Sequence, residues 1–190
     1  MTGFPEIIED GGLELRQRRP TFEDAIKMFE LVDKNRPRLE RWLAGVGDIK
    51  TPEDCYDRLK RAEEKGICMY FIIEGEKVLG RIGFVDVNRK LKTLELGYFL
   101  DEDSVGKGIV NRAVKLLEDA VFDGDWEMIR IKCDAMNARS KVVAERSGYV
   151  FEGTLRRDGS YPDGRVCDNV YFSKLKSEWK KEKKGKKKNA

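Results

Sequence analysis

Residues 105–110 read Val-Gly-Lys-Gly-Ile-Val, two glycines around a lysine immediately ahead of an amphipathic stretch. Behind them Ile109, Val110, Ala113, Leu116, Leu117, Ala120 and Val121 recur at helical spacing on one face. The start of a helix carries unpaired N–H groups and a partial positive charge. Glycine removes the side chain that would block a close approach to them. The chemistry this pattern suits is the seating of an anion, such as a pyrophosphate, on the backbone of Val105, Gly106, Lys107, Gly108, Ile109 and Val110. By itself the spacing also suits a tight turn with no ligand. It is neither a G-x-x-x-x-G-K-[ST] loop nor a G-x-G-x-x-G turn after a first strand. Histidine is absent, which excludes Ser-His-Asp and Cys-His nucleophiles and argues against a catalytic zinc, so no metal site is expected. A general base must then be a carboxylate, a tyrosine, a lysine, a water or a backbone group. Cys55, Cys68, Cys133 and Cys167 show no C-x-x-C spacing and read as reduced thiols.

The elements that must position this loop follow from periodicity. Residues 13–18 alternate like a strand. Thr21, with Asp24 three residues on, opens a helix striped by Phe22, Ala25, Ile26, Phe29, Leu31 and Val32. Residues 36–46 read as a short second helix ending at Gly45. A third runs from the Thr51 cap and Pro52 to Gly66. Residues 68–87 form a hairpin turning at Glu74-Gly75-Glu76, and 93–101 a further strand. After the glycine loop and its helix, 128–135 alternates again, with Ile129, Ile131 and Cys133 against Arg130 and Lys132. Residues 137–148 make a short helix capped by Gly148, and two closing strands follow. The order predicts an α/β (α+β) domain with helices flanking a mixed, mostly antiparallel sheet.

The chain has 190 residues, enough for one domain with its own core, here expected over 1–179. No apolar run reaches the roughly 20 residues of a membrane span, and the first residues lack the order of a signal peptide. A cytoplasmic protein without membrane contact is expected. Net charge is +3, but residues 174–190 hold nine lysines and two glutamates, leaving −4 for the rest. The end, 180–190, reads as a disordered lysine-rich tail, able to hold RNA phosphates weakly.

Taken together, residues 35–43 (NRPRLERWL), 94–114 (LELGYFLDEDSVGKGIVNRAV), 131–156 (IKCDAMNARSKVVAERSGYVFEGTLR) and 168–179 (DNVYFSKLKSEW) resemble the GNAT superfamily of acyl-CoA-dependent N-acetyltransferases. More narrowly they resemble its RimJ/RimL-type, ribosomal-protein branch. The resemblance covers nearly the whole chain up to the tail. It departs in the glycine loop, where Val105 takes the place of a usual Gln or Arg and Val110 that of a small residue.

The resemblance implies a sheet splayed between its fourth and fifth strands, 94–101 and 128–134, with acetyl-CoA as co-substrate. It implies that the pantetheine arm lies against the backbone of Tyr98, Phe99 and Leu100, and that Asn137 contacts the cofactor. Asn137 also reads as the cap of its helix. A neutral amine would attack the thioester directly, in a ternary complex. Ser140 matches the family's acid for the leaving thiolate, and Glu95 is the first candidate base. The glutamate expected beyond the "EG" motif is replaced by Gly159, with Asp158 or Glu152 as substitutes. Cys133 matches a family cysteine near the thiol, and reads better as a buried strand residue than as a nucleophile. For the acceptor, Trp42 and Tyr161 are the candidates, and Arg38 and Arg41 stand nearby in sequence. The acceptor so implied is the N-terminal amine of a protein or peptide. A small-molecule amine or amino-acid conjugate is the alternative. A non-catalytic acyl-CoA-binding module tethered to RNA is the alternative of another class. Monomer and homodimer both remain open.

Overall fold

The computed structural model describes residues 4–188. An eight-stranded sheet runs in the order β1-β2-β3-β4-β5-β6-β8-β7. Its strands are β1 (Ile7–Asp10), β2 (Leu13–Gln17), β3 (Met69–Glu74), β4 (Lys77–Asn88), β5 (Thr93–Leu100), β6 (Met128–Asp134), β7 (Val150–Ser160) and β8 (Val166–Leu175). Every pairing is antiparallel except β5 with β6. The predicted mixed, mostly antiparallel architecture is the one found. The sequence reading omitted β1, four residues whose alternation is too short to stand out, paired to β2 through the Gly11-Gly12 turn.

Helices cover both faces. On one lie α1 (Phe22–Lys34), α2 (Arg36–Glu40) and α3 (Pro52–Glu64). Thr21 caps α1 by accepting from the Asp24 N–H at 3.2 Å. Thr51 and Asp54 form a reciprocal capping box on α3, as their spacing predicts. The expected single helix over 36–46 is instead α2 followed by a 3₁₀ segment, Ala44–Asp48, because Gly45 and Gly47 weaken an α-helix there. On the other face lie α4 (Ile109–Phe122), α5 (Ala138–Arg146) and α6 (Lys176–Lys188).

Strand alternation sorts β5 between two cores. Leu94, Leu96 and Leu100 belong to the cluster under α4, with Ala113, Val114, Leu117 and Val121. Phe99 points the opposite way, into a cluster with Met28, Val32, Leu39 and Leu59. Of the tail expected at 180–190, residues 180–188 continue α6, while Asn189 and Ala190 lie outside the described residues. Trp179 is buried against Phe122 and donates to Asp119 at 2.7 Å, and Lys183 pairs with the same carboxylate at 2.6 Å. These anchors tie a lysine-rich run to the body. Among the described residues no helix is long and apolar enough to cross a membrane.

Candidate active site

The sheet opens at one place. β5 pairs with β6 from Thr93–Met128 to Leu96–Ile131 and no further, although both strands continue. From Gly97 onward β5 keeps a strand partner only in β4, and beyond Ile131 β6 keeps one only in β8. With β1 counted, this is the splay that the resemblance implied between the fourth and fifth strands. A bulge in β4 between Phe84 and Asp86 lies beside the point of parting. Bulges bend strands and sharpen their twist.

The glycine loop stands at the open end. Gly106 and Gly108 have φ of +85° and +73°, the left-handed region that side chains avoid. A methyl built at either would meet no protein atom within 4 Å, so both face open space. Gly108 is the N-cap of α4 and offers no capping side chain. The N–H groups of residues 106–111 find no acceptor among the described residues. An uncapped helix start lined by bare backbone fits a pyrophosphate. Val105 does not extend the cradle as expected. Its N–H donates to the Glu102 carbonyl at 3.1 Å, and its side chain packs against the core. The Lys107 ammonium folds back onto the Asp103 carbonyl at 2.7 Å.

On the α4–α5 face, the Tyr98 hydroxyl meets Ser140 Oγ at 3.0 Å and the Ser140 carbonyl at 3.3 Å. Burial pushes the Tyr98 phenol up, so it stays protonated at neutral pH. Asn137 caps α5 by accepting from the Ser140 N–H at 3.1 Å, which fixes Ser140 over the gap strand. The capping reading of Asn137 is therefore realised, and its amide N–H₂ is left for another acceptor. Burial pushes the Cys133 thiol up as well, which disfavours a nucleophilic thiolate.

On the opposite face Glu95 lines a cavity of about 780 Å³ between the sheet and α1–α3, together with Phe99, Val85 and Trp42. One Glu95 oxygen lies 3.1 Å from Arg130. Ser140 and Glu95 thus sit on opposite faces of the sheet, at the strand whose partner parts. Tyr161 does not join Trp42 in this cavity. It is buried at the end of β7, and its hydroxyl donates to Asp134 at 2.9 Å. The turn after it borders the 3₁₀ segment, Pro162 lying 3.7 Å from where a Cβ on Gly47 would stand, and Arg165 donates to the carbonyl of Arg41, at the end of α2, at 3.3 Å. Leu100 is engaged too: its carbonyl accepts from the Arg38 guanidinium.

The substitute carboxylates are committed elsewhere. Asp158 takes hydrogen bonds from Tyr171 at 2.6 Å, Asn169 at 3.0 Å and Lys132 at 3.1 Å, which pull its pKa down to about 2. So weak a base is a poor proton acceptor for an amine. Glu152 accepts from Ser173, which pairs with Arg130 at the closed end of the gap. Gly159 is no vacant glutamate position, because a Cβ there would lie 2.5 Å from Cys167 Sγ. Sequence reasoning missed Arg18 and Arg81, which line the Glu95 cavity. Arg18 directly follows β2 and Arg81 lies in β4, places where exposed cations are ordinary.

This geometry agrees with comparison to known proteins. Residues 13–150 match the acetyltransferase (GNAT) domain family. The chain is 32% identical over 170 residues to YdaF of Bacillus subtilis (strain 168), whose assignment as a ribosomal N-acetyltransferase is provisional; the match covers 85% of this chain and 91% of that one. It is 28% identical over 149 residues to the ribosomal-protein-serine acetyltransferase of Escherichia coli (strain K12), covering 76% and 83%. Among solved structures, RimL, a ribosomal protein α-N-acetyltransferase bound to coenzyme A through a cysteine disulfide, superposes with a TM-score of 0.83 at 24% identity, covering 90% and 98%. MccE, a microcin self-immunity acetyltransferase bound to acetyl-CoA and AMP, superposes at 0.80 with 25% identity, covering 87% and 93%. The chain belongs to the GNAT acetyltransferases, and within them to the RimJ/RimL-type branch. It is an acetyl-CoA-dependent acetyltransferase.

Proposed function

We propose that this enzyme acetylates the N-terminal α-amine of a ribosomal protein or peptide in the cytoplasm. The observation that carries this reading is the β5–β6 gap, with an uncapped anion cradle at its mouth and polar groups on its two faces. Acetyl-CoA, when bound, supplies a thioester carbonyl as electrophile. The N–H groups of Gly106, Lys107, Gly108, Ile109 and Val110 hold its pyrophosphate. The backbone of Tyr98, Phe99 and Leu100 along the gap, and the free amide donor of Asn137, orient its arm.

The acceptor amine enters from the cavity on the α1–α3 face, beside Trp42, while Tyr161 and the turn it begins border the 3₁₀ segment. Glu95, directly or through a water, takes the proton that the attacking amine must lose. As the new C–N bond forms and the C–S bond breaks, Ser140 gives a proton to the departing sulfur. The Tyr98 hydroxyl, at 3.0 Å, can replenish it. A lysine-rich helix face is more often solvated than bound to RNA, and this function does not require α6 to hold any.

The test is release of coenzyme A, with mass spectrometry of the product, on purified ribosomal proteins and on peptides with an N-terminal serine. Ser140→Ala and Glu95→Gln should each lower kcat about 100-fold while acetyl-CoA binding stays within a factor of two or so. Undiminished kcat in either variant removes that residue from the mechanism. Absence of acetylation on every acceptor overturns the assignment.

A further inference from the structure

The cavity on the α1–α3 face is lined by five cations, Arg18, Arg58, Arg61, Lys65 and Arg81, against a single carboxylate, Glu95. Arg18 directly follows β2, where its N–H bonds the Met69 carbonyl at 2.8 Å. Arg81 lies in β4, in register between Phe71 and Phe99. Each guanidinium stacks on an aromatic ring, Arg18 over Phe71 and Arg81 over Phe99, both at 5.3 Å. Stacking occupies the flat faces and leaves the N–H edges needing acceptors.

Those acceptors are missing. Arg18 Nε is buried with no hydrogen-bond partner among the described residues. The Arg81 side chain bonds only the Met69 thioether, at 3.1 Å. Burial first, and then Arg81, pushes Arg18 down to about 9. Burial, and then Arg58, pushes Arg81 down to about 10. Both remain charged at neutral pH. The one carboxylate of the lining is taken, Glu95 lying 3.1 Å from Arg130, and of the other cations Arg58 pairs with Asp48 at 3.2 Å while Arg61 and Lys65 are exposed to solvent. A desolvated cation without a partner is unfavourable, and two on one cavity wall repel each other as well.

We infer that Arg18 and Arg81 form an anion-recognising subsite of the acceptor cavity, so that the favoured acceptor carries a carboxylate close to its reactive amine. This rests on the acceptor entering by that cavity. The sheet sets the scale. Arg81 is one strand from β5 and two register positions from Gly97, where the gap begins. That is about 8 Å between Cα atoms from strand spacing and rise. Such a separation spans about two to three extended residues. The carboxylate has two possible sources, an acidic side chain near the N-terminus of a protein or the terminal carboxylate of a short peptide. The guanidinium fork recognises either.

The experiment uses four amidated or free probes: Ser-Ala-Glu-Ala-amide, Ser-Ala-Gln-Ala-amide, Ser-Ala-Ala-amide and Ser-Ala-Ala with a free carboxylate. Each is titrated calorimetrically into the full chain saturated with coenzyme A, which reads binding without turnover, and each is assayed for acetylation. Wild type should bind an anionic probe at least about tenfold more tightly than its neutral counterpart, equivalent to ~1.4 kcal/mol. Which pair shows the difference identifies the source of the carboxylate. Arg18→Met and Arg81→Met, which keep the apolar stems, should erase that preference through KM with kcat little changed. Equal binding of anionic and neutral probes, no binding of any, or a preference that survives the double variant overturns the inference. Turnover without charge preference sinks this subsite and leaves the acetyltransferase assignment standing. Charge-selective binding without turnover does the reverse.

Discussion

Gly108→Ala separates the two roles of the glycine loop. Gly108 adopts φ +73° as the cap of α4, and a methyl there touches no protein atom within 4 Å. The folded protein therefore meets strain but no clash. A non-glycine residue in this conformation costs about 1–2 kcal/mol. For a domain of this size that lowers Tm by roughly 3–6 °C. Cofactor affinity should fall further, because the methyl projects into the space where an anion must approach the N–H groups. A hydrogen bond to a charged group contributes about 1.5–3 kcal/mol, so losing one weakens acetyl-CoA about 10- to 100-fold. The control is Gly75→Ala, at the β3–β4 turn, with φ +59° and equally open surroundings. It should match the Tm loss and leave acetyl-CoA affinity unchanged. Differential scanning calorimetry and isothermal titration on the three proteins decide the matter. Full acetyl-CoA affinity in Gly108→Ala, or an equal loss in Gly75→Ala, refutes the cradle.

Two further outcomes test the fold around the site. Lys174 and Glu118 are each 1% exposed and lie 3.3 Å apart between α4 and the last strand, with Lys174 also donating to the Ser147 carbonyl at 2.5 Å. Lys174→Met leaves Glu118 with only Lys115 at 3.9 Å, and should cost about 3 kcal/mol; adding Glu118→Leu should restore most of the lost Tm, and a double variant no better than the single one contradicts this. Asp158, held at about 2 against an ordinary 3.8, adds stability that is fully present above pH 3.8 and disappears as pH falls toward 2. Melting curves of wild type and Asp158→Asn should therefore differ at pH 6 and converge near pH 2, and a constant difference across that range would rule the network out.

Much of the fold could be read because its signals are local. Thr21 accepting from the Asp24 N–H, and Thr51 with Asp54 in a reciprocal box, mark helix starts by hydrogen bonds that need no tertiary partner. Leu94, Leu96 and Leu100 against Phe99 announce a strand buried on both faces. Gly106 and Gly108 announce a loop in the left-handed region that glycine enters without strain. Other features depend on pairing decided elsewhere in the chain. β1 is four residues long and exists because β2 offers an edge. The helix at 180–188 exists because Trp179, Glu182 and Lys183 find partners on the body, and a run of lysines alone would not hold it.

The same distinction divides the candidate site. Ser140 and Asn137 could be read because a helix cap places them relative to each other within four residues. The loss of the base beyond the "EG" motif could not be judged from Gly159 alone. There the three residues 156–158 bulge out of the β7–β8 ladder, turning Asp158 onto Tyr171, Asn169 and Lys132. The ladder closes again with Gly159 against Cys167. An added glutamate at that point would need Cys167 to move, so the stretch after the "EG" motif does not accommodate a base, which is one ground for the role proposed for Glu95. Charge balance is the least local property of all. Arg18 and Arg81 lie 63 residues apart in the numbering, each unremarkable among its sequence neighbours. Their meaning comes from what the folded cavity fails to place beside them, and that is the ground for the anionic acceptor proposed above.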